Sequence, residues 1–323
     1  MEKLIEVQKL KKEFPVKGMS HRLVAVDEVT FSILKGRTFG LIGESGSGKT
    51  TVGRVLLKLI SHTAGRMFFD GREYQGMSKR GFRNLRNEMQ MVFQDPYYSL
   101  NPRRTIWETI RGSYNQKNGD DRHEKSLAVR EALDKVYIEE KDYDKYPHQL
   151  SMGQQQRVGI ARAIVSSPRF IVLDEPTSSL DVTVRGEIID LLVRLQQDLD
   201  ITYLFISHDL STVQYLCHDV AIMYLGKIIE IGPVKEVFEN HRHPYSVALM
   251  ASVMKPNPKV KRLNYRLEGE IPSPINLPPA CYLASRCPEA KEVCHRSDPE
   301  MIEVGGNHYV KCHFAKSERK LAT

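Results

Sequence analysis

The run Thr38-Phe39-Gly40-Leu41-Ile42, followed by Gly43-Glu44-Ser45-Gly46-Ser47-Gly48-Lys49-Thr50, sets the architecture of this chain. An apolar segment of strand length ends on G-x-x-x-x-G-K-[ST], and a helix opens from it. Glycines let the backbone fold so that its N–H groups converge on phosphate oxygens. The start of the helix aims its positive end at the same place. Lys49 then reaches the β- and γ-phosphates as a point charge, while Thr50, with Thr51 behind it, offers a hydroxyl to Mg²⁺. A chance glycine-rich turn would need neither the strand before nor the helix after.

Outward from this loop the chain keeps an α/β texture. Upstream, LIEVQKL and LVAVDEVTFSIL alternate apolar and polar positions and read as antiparallel strands ending at Lys35-Gly36. Downstream, a helix is expected through about Leu59, then HTAGRMFFDGREY as strand, Asp-Gly turn and strand. Residues 95–165 read as helical. Phe170–Asp174 and ITYLFISHD read as buried strands separated by a helix over Thr183–Leu199, with Ile188, Ile189, Leu192 and Leu195 on one face. AIMYLGKIIEIG reads as a hairpin around Gly226. Strands alternating with helices predict a largely parallel sheet with helices on both faces.

The chain has 323 residues, 41% hydrophobic and 27% charged, which suits a large core and two domains. Nothing approaches the roughly 18 apolar residues of a membrane span. The charged start MEKLIEVQKLKKEF lacks the apolar core of a signal peptide, so a cytosolic location is expected. A net charge of +7 favours nucleotides, nucleic acid or an anionic membrane face, although no long basic run stands out. Of five cysteines, Cys217 reads as a buried apolar thiol, and the other four lie beyond residue 280. Pro256 to Pro279 holds six prolines and reads as a linker into that tail.

Several residues beyond the loop have the chemistry of a triphosphate hydrolase. Asp174 ends an apolar strand where a carboxylate holds Mg²⁺, and Glu175 comes next as a candidate general base. Gln94, after Met91-Val92-Phe93, is placed to coordinate Mg²⁺ or orient water. His208 ends the next strand, at the ligand-binding edge of a parallel sheet. Ser151 reads as the N-cap of a helix that opens LSMGQQQR, and a serine, a glycine and free N–H groups there suit a phosphate.

Phosphate loop, glutamine, LS-x-GQ, LDEP, SSLD and strand-end histidine occur in one order. That order resembles the ATP-binding cassette of ABC transporters over about residues 4–240. The resemblance implies a P-loop NTPase with a RecA-like core, an antiparallel β subdomain and a helical subdomain. It makes 1–240 the ATP-binding domain, with helical insert 95–165, and 241–323 a C-terminal extension. By similarity Gly43 to Thr51 is Walker A, Gln94 the Q-loop, and Ser151, Gly153 and Gln154 belong to the signature. Asp174 and Glu175 form Walker B, Asp181 lies in the D-loop and His208 is the switch histidine. Phe14 looks like the aromatic that stacks on adenine. Met152 stands where the family has a glycine.

MVFQDPYYSLNPR and HPYSVALM narrow the resemblance to the oligopeptide and dipeptide importers, and YYSLNPR to the second of their two ATPase subunits. This implies a paralogous ATPase partner (a homodimer is the alternative), two membrane permeases and an extracellular solute-binding protein, with no nucleic acid. The expected location is the cytoplasmic side of the membrane. Other solutes of the branch, such as oligosaccharides or metal chelates, stay open, as does a soluble cassette acting on nucleic acid or the ribosome.

Cys281, Cys287, Cys294 and Cys312 are spaced C-x5-C-x6-C-x17-C. Four thiolates satisfy a tetrahedral Zn²⁺ or a [4Fe–4S] cluster. The absence of a short C-x2–4-C pair, and Pro288 after Cys287, lean toward iron–sulfur, as does resemblance to the cysteine region of oligopeptide-importer ATPases. Zinc or free thiols are the alternatives.

Overall fold

The computed structural model describes residues 2–16, 18, 21–78, 80–114, 122–252 and 265–316. In chain order the elements begin β1 (Lys3–Pro15), β2 (Arg22–Leu34), β3 (Thr38–Ile42), α1 (Lys49–Leu56), β4 (Ala64–Phe69) and β5 (Arg72–Glu73). Next come α2 (Phe82–Glu88), β6 (Met89–Val92), α3 (Pro96–Ser99), α4 (Ile106–Ser113), α5 (Arg122–Lys135) and α6 (Met152–Ile164). The core closes with β7 (Phe170–Asp174), α7 (Val182–Leu199), β8 (Thr202–Ser207), α8 (Leu210–Leu216), β9 (Asp219–Tyr224) and β10 (Lys227–Pro233). Beyond it lie α9 (Val234–Glu239), α10 (Pro244–Ala251), α11 (Glu292–Arg296), β11 (Met301–Gly305) and β12 (His308–Lys311).

Two sheets organise these elements. The smaller runs β2-β1-β4-β5 and is antiparallel throughout. The larger runs β11-β12-β10-β9-β3-β8-β7-β6. Its five strands from β9 to β6 are parallel, and β10, β12 and β11 continue the sheet antiparallel.

Alternation along the parallel strands separates two cores. Ile42, Ile171, Leu173, Tyr203, Phe205 and Ile222 face helices α6, α7 and α8 through Ile160, Leu192 and Val213. Phe39, Leu41, Val172, Leu204 and Ile206 face the other way, onto Val52 and Leu56 of α1 and Ile5, Val7 and Phe31 of the antiparallel sheet. Helices therefore do not cover both faces alone. The amphipathic strands β1 and β2 have one apolar face to bury, and they bury it over α1. That helix stops at Leu56 rather than Leu59, because Lys58 takes a left-handed φ of 50°.

Helices α3 to α6 form the expected helical region, closed by Ile106, Ile110, Leu133, Val136 and Val158. A capping box at Thr105 and Glu108 starts α4, and Asp181 caps α7.

The extension is less separate than the sequence implied. Strand β12 pairs with β10, Glu230 opposite Val310, so the cysteine region adds a hairpin to the edge of the main sheet. The linker reading falls partly on residues 253–264, outside the described residues. Its later part runs across β2, where Val24 N–H donates to Pro274 O at 3.0 Å and Leu23 bridges Ile275.

Candidate active site at the carboxyl edge of the parallel sheet

Register places the chemistry. Ile42 pairs with Ser207, and Asp174 pairs with Ile206, so the loop after β3, the acids ending β7 and the histidine after β8 emerge side by side. The phosphate loop needs its glycines for contact as well as conformation. Gly43 (φ 149°) would place a Cβ 2.2 Å from the Met223 carbonyl, and Gly48 (φ 103°) would place one 2.2 Å from the Ala25 carbonyl.

Lys49 is buried in the cradle of this loop. Its Nζ donates to Gly43 O at 2.8 Å, Glu44 O at 2.9 Å and Ser47 Oγ at 3.3 Å. Burial lowers its pKa, against the pull of Glu175 and Asp174. Thr50 Oγ1 donates to Asp174 Oδ1 at 2.8 Å. Asp174 is 2% exposed, and burial raises its pKa despite the hydroxyl that Thr50 gives it. A hydroxyl and a buried carboxylate are hard oxygen donors that suit Mg²⁺, which is bound by one or two carboxylates plus substrate phosphates.

Glu175 is the hub. Gln94 Nε2 donates to its Oε2 at 3.1 Å, and His208 Nδ1 lies 3.3 Å from the same atom. The backbone of Glu175 sits at φ 46°, a left-handed conformation uncommon for such a residue, and its N–H donates to Ile206 O at 2.9 Å. Gln94 and His208 thus meet on one carboxylate oxygen. The arrangement can bind an anion at the loop, a divalent cation at Thr50–Asp174 and a water beside Glu175.

The signature turn stands apart. Ser151 Oγ accepts from Gln154 N at 3.3 Å, and Gln154 Oε1 accepts from Ser151 N at 3.1 Å, forming a reciprocal cap of α6. Among the described residues no hydrogen bond joins Ser151, Gly153, Gln154 or Asp181 to the phosphate loop. Met152 is 47% exposed at the first position of α6. At Gly153, by contrast, a Cβ would meet Val184 Cγ1 at 2.7 Å. The departure from the family pattern falls on a solvent-facing residue of the turn, beside exposed Ser151.

Phe14 is half-buried near the end of β1, opposite Leu23, with Lys12 Nζ 4.7 Å from its ring centroid. Nothing in the sequence pattern pointed to that ammonium over the aromatic face.

The four tail cysteines line one small cavity together with His243, Pro244 and His313. Turns gather them: Cys281 N–H donates to Cys294 O at 3.0 Å. Burial pushes the thiols of Cys281 and Cys287 up to about 11 and about 12. Yet among the described residues no group of three or more His, Cys, Asp or Glu side chains is arranged to hold a metal ion. The iron–sulfur expectation, and its zinc alternative, are therefore not supported as ligand sets. Spacing along the chain brought the cysteines together without aiming their sulfurs at one point.

Two contacts went unanticipated. Glu44 N–H donates to Tyr245 Oη at 2.9 Å, and Arg286 lies 3.5 Å from the Glu44 carboxylate. The only available signal was the His243-Pro244-Tyr245 run, and it carried no indication of its target.

Known proteins share both halves of this architecture. The ABC transporter family profile matches residues 26–178, and the profile for the oligopeptide/dipeptide transporter C-terminal region matches 229–294. The oligopeptide transport ATP-binding protein AppF of Bacillus subtilis is 42% identical over 321 residues, covering 97% of this chain and 98% of AppF. A putative peptide import ATP-binding protein of Brucella ovis is 42% identical over 309 residues, covering 96% and 97%. Among solved structures, cbiO1 of Clostridium perfringens, part of an ABC transporter complex, superposes with a TM-score of 0.65 at 31% identity, covering 77% of this chain and 96% of its own. The ATP-binding cassette MJ0796, solved as a dimer bound to ADP and phosphate, matches in fold with a TM-score of 0.64 at 24% identity, over 71% of this chain and 98% of its own. With the phosphate loop, the strand-end acids and a C-terminal region of the same kind all in place, this chain belongs to the ATP-binding subunits of oligopeptide/dipeptide ABC transporters, and it is an ATPase.

Proposed function

We propose that this subunit hydrolyses ATP to drive uptake of oligopeptides or dipeptides through two permease subunits. It would do so as the second of two paralogous ATPases, at the cytoplasmic face of the membrane, with an extracellular binding protein delivering solute. The observation that carries this reading is end-to-end likeness at 42% identity to an oligopeptide transport ATP-binding protein, extension included.

In this reading adenine stacks on Phe14, and Gly43 to Thr51 hold the phosphates. Thr50, Asp174 and Gln94 hold Mg²⁺, which supplies charge neutralisation at the β- and γ-phosphates. Glu175 takes the proton of the attacking water, while His208 and Gln94 keep the carboxylate and the water in line. Likeness to the cassette family supports a site completed from a facing subunit. There Ser151, Gly153 and Gln154 close over the partner's γ-phosphate, and most of the acceleration is positioning and charge stabilisation.

Reconstitution of the transporter in vesicles tests the function. ATP hydrolysis is expected to rise when the binding protein is loaded with peptide, with peptide accumulating inside. A response to oligosaccharides or metal chelates but not to peptides would replace the solute. Salt-sensitive binding to nucleic acid with no membrane partner would replace the whole assignment.

The four tail cysteines are proposed as a metal centre. Four thiols on one cavity are the ligand type that iron–sulfur or zinc takes, once their side chains close on an ion. Anaerobically purified protein should then contain iron and be brown. Zinc in its place selects the alternative, and metal-free protein with full ATPase activity removes the idea.

A further inference from the structure

Residue 44 of the phosphate loop is gripped from outside the cassette. Its N–H donates to Tyr245 Oη at 2.9 Å, and its carboxylate lies 3.5 Å from an Arg286 guanidinium nitrogen. Arg286 also donates to Tyr224 Oη at 3.3 Å, and the rings of Tyr224 and Tyr245 lie 4.8 Å apart. Tyr245 and Arg286 both belong to the extension, and Tyr245 is 1% exposed. These side chains form a buried bracket against one end of the loop.

The His-Pro-Tyr run explains how that hydroxyl is aimed. His243 Nδ1 accepts from Tyr245 N at 3.1 Å, capping α10, and His243 N–H donates to buried Glu230 Oε2 at 2.9 Å. Pro244 occupies the first helical position, where its fixed φ suits the turn. The cap, the proline and the anchor to β10 leave the first turn of α10 little freedom. Tyr245 is its second residue, so its hydroxyl has a fixed place.

The loop benefits from such a hold. Gly43, Gly46 and Gly48 all have positive φ, and Ser45 and Gly46 are exposed directly after Glu44. A glycine-rich segment loses much conformational freedom when it closes on phosphate. Fixing residue 44 by backbone and side chain together narrows that freedom before the nucleotide arrives.

We propose that the C-terminal extension positions the phosphate loop, with Tyr245 and Arg286 as positioning residues acting through Glu44. This rests on the ATPase activity and extends it to a region otherwise without a role in the nucleotide site. A positioning role of this kind acts on nucleotide binding and leaves the chemical step alone, so it separates affinity from turnover.

The experiment measures Mg-ATP affinity of the full-length chain and turnover of the assembled transporter. Tyr245→Phe keeps the ring and removes the acceptor; a roughly fivefold loss of affinity with kcat within about twofold is expected, the scale of one lost hydrogen bond. Arg286→Gln should behave similarly, and Arg286→Lys, which keeps the charge, should recover most of the affinity. In a Glu44→Gln background Arg286→Gln should add little further loss, because the contact that carries its effect to the loop is already gone. Unchanged affinity in Tyr245→Phe, or losses that multiply in the double variant, would overturn the inference while the activity stands. A wild-type chain that binds no Mg-ATP would take the activity and the inference down together.

Discussion

Glu175→Gln is expected to bind ATP as the parent does and to hydrolyse it roughly 10²–10⁴-fold more slowly, the range that a general base contributes. The carboxylate stands at the end of β7 with Gln94 Nε2 at 3.1 Å and His208 Nδ1 at 3.3 Å, both on one oxygen. An amide fills the same volume but does not take a proton from water. The phosphate contacts proposed for Lys49 and Thr50 are untouched, so affinity should persist. With the nucleotide closed between two cassettes, as proposed above, ATP that is bound but not cleaved should hold them together. Phosphate release and the mass of the ATP-bound species measure both effects. Normal phosphate release by this variant in the assembled transporter would give the base role to another residue.

The second large effect is at Lys49. Lys49→Ala removes a buried ammonium that donates to three acceptors of its own loop. Hydrogen bonds to charged groups contribute about 1.5–3 kcal/mol each, so ATP affinity should fall on the order of 10²-fold or more. Turnover should fall as well, since charge builds on the γ-phosphate as it departs. Burial already disfavours the ammonium, and a nearby triphosphate restores its balance, so this residue has more to give to ligand binding than an exposed lysine would. Titration with a fluorescent ATP analogue measures the loss. Retained affinity would mean that the backbone of the loop alone holds the phosphates.

The placement of the candidate site was largely legible because its parts are local. Strand, loop and helix run without a break from Thr38 through Leu56, and Asp174 and Glu175 cap a short strand whose burial is complete. Parallel strands then bring their ends together without further instruction, which is why Gln94 and His208 meet at one carboxylate. What escaped the sequence depends on partners far along the chain. Tyr245 and Glu44 are 201 residues apart, and β12 joins β10 across 78 residues at His308 and Glu230. No periodicity marks which edge a late hairpin will choose. The cysteines show the same limit on a smaller scale: spacing predicted their proximity but not the direction of their side chains.

One joint has a practical meaning for anyone who would shorten the molecule. Glu230 is fully buried, and burial opposes its ionisation. His308 Nε2 at 2.7 Å and the N–H groups of Arg242 and His243 outweigh that and hold its carboxyl below the usual range. A chain cut after residue 240 would keep this acid and lose every one of those donors, stranding a charge in an apolar wall. It would also bare the edge of β10, an invitation to intermolecular pairing. The cassette is therefore not a detachable motor with a decorative tail. Its last strand needs the late hairpin to finish it, and the piece alone should be a worse-behaved protein than the whole.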